Sequence, residues 1–392
     1  EEFGAAVVET LDGRSLSGDV QSITDERLVV SGDDGESSLP LKDVAGIVFA
    51  GEKRPVDATR KAGQLAVRTP AGGWIACESL ALTDGRLDLT GPLIGEQQMG
   101  LKAARTLLLP EPGQTPQQVL DECERYRIQP GSRDVLAVAR DDGKWVPADG
   151  VLLSITDETI GFRYRGQDRT IARDTVRAIW LAELSGDRPK PAGVLVGRDG
   201  CRLQFSRLSM NAETVTAQTL AAGELKLPRA KVASIRYISD RLVNLGDIEP
   251  ASVEQHGTFD HTFEYRRNRA AHGGSIRLDG REYRHGLGLH SFAELTYMLE
   301  GTYTSLLATV GIDDAVRPSG QATLEILGDG KPLAIHVGDE QQKSLDLTGK
   351  DNARTIRVDV RGVKSLTLRV DFGADGLGVG DHVNLAAARL VK

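Results

Sequence analysis

Along the first 238 residues, apolar and polar positions alternate over short stretches, as in Arg27-Leu-Val-Val-Ser31 and Thr159-Ile-Gly-Phe-Arg163. This period of two predicts half-buried strands. The strands come in a repeated order. Residues 11–23, 70–82, 141–153 and 197–209 each read as a strand, a Gly-centred turn and a second strand, with a polar turn such as Thr24-Asp-Glu26 or Thr83-Asp-Gly85 after it. Each unit then closes in the same way, through Leu39-Pro-Leu-Lys-Asp-Val-Ala-Gly-Ile-Val-Phe49, Gly100-Leu-Lys-Ala-Ala-Arg-Thr-Leu-Leu108, Ile171-Ala-Arg-Asp-Thr-Val-Arg-Ala-Ile-Trp180 and Leu227-Pro-Arg-Ala-Lys-Val-Ala-Ser-Ile-Arg-Tyr237. The equivalent closing residues are Ile47, Leu107, Ile179 and Ile235.

These segments predict four small SH3-like or Sm-like barrel repeats over residues 1–50, 62–110, 134–182 and 192–238. Repeats of about 45 residues are marginal alone, because so short a chain buries too little of its surface. They are expected to pack on one another or on the rest of the chain. Polar joints fall at Gly51-Glu-Lys-Arg-Pro55 and at Ser185-Gly-Asp-Arg-Pro-Lys-Pro-Ala-Gly193. Residues 111–133 form a linker with one short helix. Thr115 can cap it, Pro116 suits its first turn, and Gln118 completes a capping box. Val119, Leu120 and Cys123 share one face, which predicts a docked strut.

From residue 239 the pattern changes to longer alternating strands with wider loops, at 275–278, 294–299, 305–310, 323–327, 355–360 and 365–370. Alternating strands without helices predict an antiparallel β-sandwich. Asp329-Gly330 is a hairpin turn between 323–327 and 332–337. The fold class is therefore all-β.

Composition narrows the function. A net charge of −8 with scattered Lys and Arg argues against a nucleic-acid partner, which needs a basic face to neutralise phosphates. There is no apolar run long enough to span a bilayer. Aromatic residues are 5%, so stacking platforms are scarce. Trp74 and Trp145 hold similar places after their turns, either as a surface ladder or as buried strand positions, with Trp180 the third. Cys77, Cys123 and Cys201 are far apart, form no metal-ligand spacing and allow at most one disulfide; buried free thiols are expected.

His290-Ser291 with Asp313 or Asp314 suggests a nucleophilic pair only superficially. Neighbouring side chains on a strand point to opposite faces, so His290 is poorly placed to activate Ser291. Nor do the adjacent acids Asp313-Asp314 suit glycoside hydrolysis, whose two carboxyls flank the bond from separate elements. Such a pair more naturally orients backbone donors, pairs with an Arg or holds a cation.

Four motifs occur in order: Tyr283-Arg-His-Gly-Leu-Gly-Leu-His-Ser291, Val310-Gly-Ile-Asp-Asp314, Leu327-Gly-Asp-Gly-Lys331 and Gly380-Asp-His-Val-Asn-Leu-Ala-Ala-Ala-Arg-Leu390. Together they resemble the NPCBM family of carbohydrate-binding modules over roughly residues 238–392. The resemblance implies a jelly-roll sandwich over residues 239–392 and a glycan ligand, galactosides among the candidates. Family members typically read Asp-His-Ala-Asp-Trp-Ala-Asp-Ala in the last motif. Asp381 and His382 carry over, but Asn384, Leu385 and Ala387 replace an acid, a Trp and an acid. Losing that Trp removes either a stacking surface or a core residue, and the sequence leaves both open.

The expected function is non-catalytic glycan binding through a shallow, loop-lined site built around His290, Asp313, Asp314, Asp381 and His382, with calcium as a structural ion near the carboxylates. The chain begins Glu1-Glu-Phe3, as a mature exported protein or an excised piece would, and the resemblance favours export to a secreted, periplasmic or cell-surface setting. The alternative is a structural or assembly protein of the cell envelope, acting through protein partners. An enzyme would need a further acid facing Asp313, which the sequence does not place.

Overall fold

The computed structural model describes the chain except residues 1–5, 34, 51–58, 60, 183–189 and 258–261. The joint expected at Gly51-Glu-Lys-Arg-Pro55 lies outside the described residues, as do residues 185–189 of the second joint. Among the described residues, strands dominate and the single α-helix is Pro116–Arg125. The chain divides into two compact units, one of residues 1–10 and 15–239, the other of residues 11–14 and 240–392.

In the first unit the equivalent closing residues meet each other. Ile47 lies directly opposite Ile235, and Leu107 opposite Ile179, in antiparallel pairs of closing strands. Pairing then runs in a circuit. Ala6–Thr10 pairs Val44–Val48, which pairs Val232–Tyr237, then Gly193–Gly197, then Arg202–Met210. Met210 bridges to Ile23 of Ser15–Ile23, which returns to Ala6–Thr10. The middle repeats make the same circuit through Leu65–Arg68, Thr106–Leu108, Val176–Trp180, Asp134–Ala139 and Trp145–Ile155, closed where Ile155 meets Leu82. Hydrogen bonding therefore closes across two repeats, the first with the fourth and the second with the third. The reason is surface to volume: two repeats share one interior where each alone would leave its closing strand as an open edge.

The inner faces merge into one core that includes Val8, Ile47, Val67, Leu107, Leu136, Ile179, Leu195 and Ile235. The helix covers the outer face of the second and third closing strands. Thr115 caps it with the reciprocal Gln118 bond, and Val119 and Cys123 pack with Leu108, Val135, Trp145 and Trp180. Trp145 and Trp180 are buried there and Trp74 is half-buried against the same cluster, so the tryptophans pack rather than form an open ladder. All three cysteines are free and buried.

The second unit is a two-sheet antiparallel sandwich. One sheet runs Arg266–Arg267, Gly286–His290, His382–Val391, Ser305–Ile312, Arg354–Asp359, Ile335–Val337 and Glu340–Gln342, with Leu242–Asn244 also on His382–Val391. The other runs Ser252–Gln255, Ala293–Met298, Ser365–Phe372, Gln321–Gly328 and Lys331–Pro332, with Ser344–Thr348 also on Gln321–Gly328. From Gly286–His290 to Gln321–Gly328 and again from Ser344–Thr348 to His382–Val391, successive strands alternate between the sheets, and Leu287, Leu295, Val310, Leu324, Leu368 and Leu385 fill the space between them. Asp329 and Gly330 both have positive φ, as the hairpin turn requires. Its returning arm is only Lys331–Pro332, because Ile335–Val337 crosses to pair in the other sheet.

Candidate functional site

The geometry starts from strand alternation. On Gly286–His290 and His382–Val391, Leu287, Leu289, Val383 and Leu385 point into the sandwich core. The alternate residues Gly288, His290, His382 and Asn384 therefore share the opposite face. Register places His290 directly against His382, and Gly288 against Asn384. The two imidazoles are 5.2 Å apart and nearly perpendicular. Phe263 stacks on His290 at 4.5 Å and meets His382 edge-on at 5.1 Å.

Ser305–Ile312 flanks the other side of His382–Val391 and ends at Asp313, whose N–H donates to the His382 carbonyl at 2.8 Å. The Asp313 carboxylate accepts from the Asn384 side-chain amide and from the Ala315 N–H at 2.9 Å. His272 Nε2 stands 3.3 Å from it. Gly288 makes room for the turn bearing His272: a Cβ there would come within 2.4 Å of the Arg269 carbonyl and 2.5 Å of the Ala271 nitrogen.

Asp381 acts at the joint between the sheets. Its carboxylate accepts from Ser291 Oγ at 2.5 Å and from the Gln321 N–H at 2.9 Å. Burial raises its pKa, against the lowering effect of those two donors and of nearby His290. His382 goes the other way. Burial, then the neighbouring His290 and His272, lower its pKa to about 4, with Asp313 opposing. His382 is thus neutral at neutral pH.

Of the five residues expected at the site, the fold gathers four: His290, His382, Asp313 and Asp381. They are buried rather than laid open on a shallow surface. Asp314 turns away. Its carboxylate accepts from the Asp279 and Gly280 N–H groups at 2.9 and 2.8 Å, and so holds the turn of the hairpin Ile276–Leu278 and Arg281–Tyr283. That hairpin packs Ile276 and Leu278 on Ala386, roofing part of the same sheet face.

Three buried polar atoms in this cluster have no hydrogen-bond partner among the described residues: His290 Nε2, His382 Nδ1 and Asn384 Oδ1. An orphaned buried polar atom costs about 1–3 kcal/mol, so three together call for a physical explanation. Ser291 and His290 do not form a nucleophile–base couple. The hydroxyl is committed to Asp381, and His290 Nδ1 contacts the Ser291 carbonyl at 2.7 Å. The carboxylates of Asp313, Asp314 and Asp381 likewise accept from N–H and O–H donors. Among the described residues no group of three or more His, Cys, Asp or Glu side chains is arranged to hold a metal.

Sequence reasoning did not single out Phe263 and His272, which sit in the irregular stretch between Gln255 and Ile276. The segment also carries His256, Phe259, His261 and Tyr265, so no local signal singles these two out. The Trp-to-Leu departure is resolved by packing. Leu385 is fully buried in the sandwich core, so the substitution takes no stacking surface from the site.

Residues 241–391 match the model of the NPCBM/NEW2 domain family. No curated protein matches the chain. Among solved structures, a CBM51 module with INT domains from Clostridium perfringens ZmpB, in complex with GlcNAc, aligns at 22% identity and a TM-score of 0.33, covering 46% of this chain and 36% of that one. The CBM51 of a Clostridium perfringens family 95 glycoside hydrolase, in complex with methyl-galactose, aligns at 23% identity and a TM-score of 0.31, covering 38% of this chain and 99% of that one. The tandem CBM51 modules of a Streptococcus pneumoniae family 98 glycoside hydrolase align at 13% identity and a TM-score of 0.31, covering 98% and 87%. The chain thus spans little more than a third of the first of these structures.

Proposed function

With residues 241–391 an NPCBM/NEW2 domain, we propose that this unit binds a glycan non-covalently at the His290–His382 cluster. The observation that carries the reading is the set of orphaned atoms His290 Nε2, His382 Nδ1 and Asn384 Oδ1. These atoms are covered in the ligand-free fold, so a sugar must displace part of their cover; a hydroxyl both donates and accepts, and once admitted it would satisfy the imidazole nitrogens as well as the amide oxygen. Asp381 and Asp313 act indirectly. The first fixes Ser291 beside His290, and the second orients Asn384 and faces His272. We read the unit as a binding module rather than a catalyst, since His290 Nδ1 is engaged by the Ser291 carbonyl and does not face the Ser291 hydroxyl.

The glycan reading favours an exported protein, and among the described residues no helix is long and apolar enough to cross a membrane. The repeat pairs of the first unit are read as barrel-like scaffolds.

The test is thermal unfolding of the whole chain with methyl β-galactoside, N-acetylglucosamine and complex glycans. A ligand that binds the native state alone raises the midpoint by mass action. The expected result is a saturable rise that disappears in His290→Ala and His382→Ala. A folded protein that shows no rise at millimolar sugar overturns the reading and favours assembly through protein partners.

A further inference from the structure

We infer that Phe263 is an aromatic contact of the sugar site and that Gln255 is the residue that positions it; this rests on the glycan reading above. The Phe263 ring is half-buried and lies against the two histidines that carry orphaned nitrogens, stacked on His290 and edge-on to His382. Its neighbour Tyr265 packs on the sandwich core, so the loop is anchored at Tyr265 and presents Phe263 to the polar cluster. An apolar ring beside convergent polar groups is the usual make-up of a small-ligand site, the ring taking the ligand's C–H face and the polar atoms its hydroxyls.

Placement of that ring traces to one side chain. Gln255 ends the strand Ser252–Gln255 in the opposite sheet. Its amide donates to the Phe263 carbonyl at 2.9 Å and accepts from the Tyr265 N–H at 3.1 Å. The two bonds fix the backbone on both sides of Glu264. Just beyond, His256 and Phe292 exchange backbone bonds at 3.1 Å in both directions, which extends the pairing to Ser291 and His290. Gln255 thus ties the Phe263 loop to the chain that bears His290. Leu385 stands where the family pattern has Trp but faces the core, so the aromatic surface of this site comes from a different element.

Trp74, Trp145 and Trp180 all precede residue 240, so Phe263→Trp gives the second unit a tryptophan of its own. The probes are methyl β-galactoside and N-acetylglucosamine, titrated into the whole chain. Phe263→Trp is expected to retain binding and to show a saturable emission change absent from the wild type. Phe263→Ala is expected to weaken binding about tenfold, the order expected for one aromatic contact, with the unliganded midpoint little changed. Gln255→Leu should weaken binding several-fold, and combined with Phe263→Trp it should shift the emission of the free protein to the red as the ring loses its place. Wild-type binding of a sugar with Phe263→Ala affinity within about twofold overturns the inference but leaves the glycan reading standing. Binding of neither sugar by the wild type overturns both.

Discussion

His290 and His382 lie opposite each other on adjacent antiparallel strands, with their rings 5.2 Å apart, and each carries a buried nitrogen without a hydrogen-bond partner. Two imidazoles in contact, that of His382 neutral at neutral pH, form a group that responds both to ligands and to acid.

The acid response has a definite sign. His382 has its folded pKa lowered from 6.5 to about 4, so the folded state resists a proton that the unfolded state accepts. Its contribution to stability is present above pH 6.5, falls as the pH drops towards 4 and is fully lost below that. The loss is on the order of 3 kcal/mol. Asp381, its pKa raised by burial, acts in the opposite direction over its own range. Denaturant unfolding of the whole chain between pH 7 and pH 4 should show the decline, and His382→Gln should flatten it. An unchanged slope in that variant would remove His382 as the cause.

Asp381→Ala should destabilise the second unit. The Ser291 hydroxyl and the Gln321 N–H would both be left in the protein without their acceptor, at about 1–3 kcal/mol each. Asp381→Asn keeps an acceptor for one of them and should cost less. Equal losses in the two variants would show that the hydrogen bonds are not the source.

Restoring the family's tryptophan offers a direct check on packing. Leu385→Trp forces a larger ring into a filled core and should cost about 1–3 kcal/mol without improving sugar affinity. Tighter binding in that variant would place position 385 at the ligand after all.

Ile47 and Ile235 are fully buried partners across the first and fourth repeats. Each change to Ala should cost about 2–5 kcal/mol. Residues in contact should also couple, so the double variant should differ from the sum of the singles by about 0.5–3 kcal/mol. Strict additivity would mean that the two repeats do not depend on each other for closure.

Chelation offers a further check. The carboxylates near the cluster accept from protein donors, so EDTA is expected to leave the sugar-dependent rise in midpoint unchanged. Loss of that rise with EDTA, and its return with calcium, would place a calcium ion at these carboxylates.

Much of the fold was legible because strand burial writes itself into period two. The capped helix at Thr115, the closing residues Ile47, Leu107, Ile179 and Ile235, and the sandwich strands near 294–299, 305–310, 323–327, 355–360 and 365–370 follow from that rule and from turn chemistry. His382–Val391 was harder to read as a strand, since it is covered on both faces and bends at Ala387, whose φ is +49°, so its alternation is blurred. The sequence by itself determined the all-β class and the repeated closure, and its motifs named five candidate residues of which the fold gathers four. Tertiary structure alone decided which repeats pair, that Asp314 serves a turn, that Leu385 belongs to the core, and that Phe263 and His272 join the histidines. Periodicity specifies which face of a strand is apolar, whereas partners far apart in the chain are chosen by register and by loop closure, which no local pattern encodes.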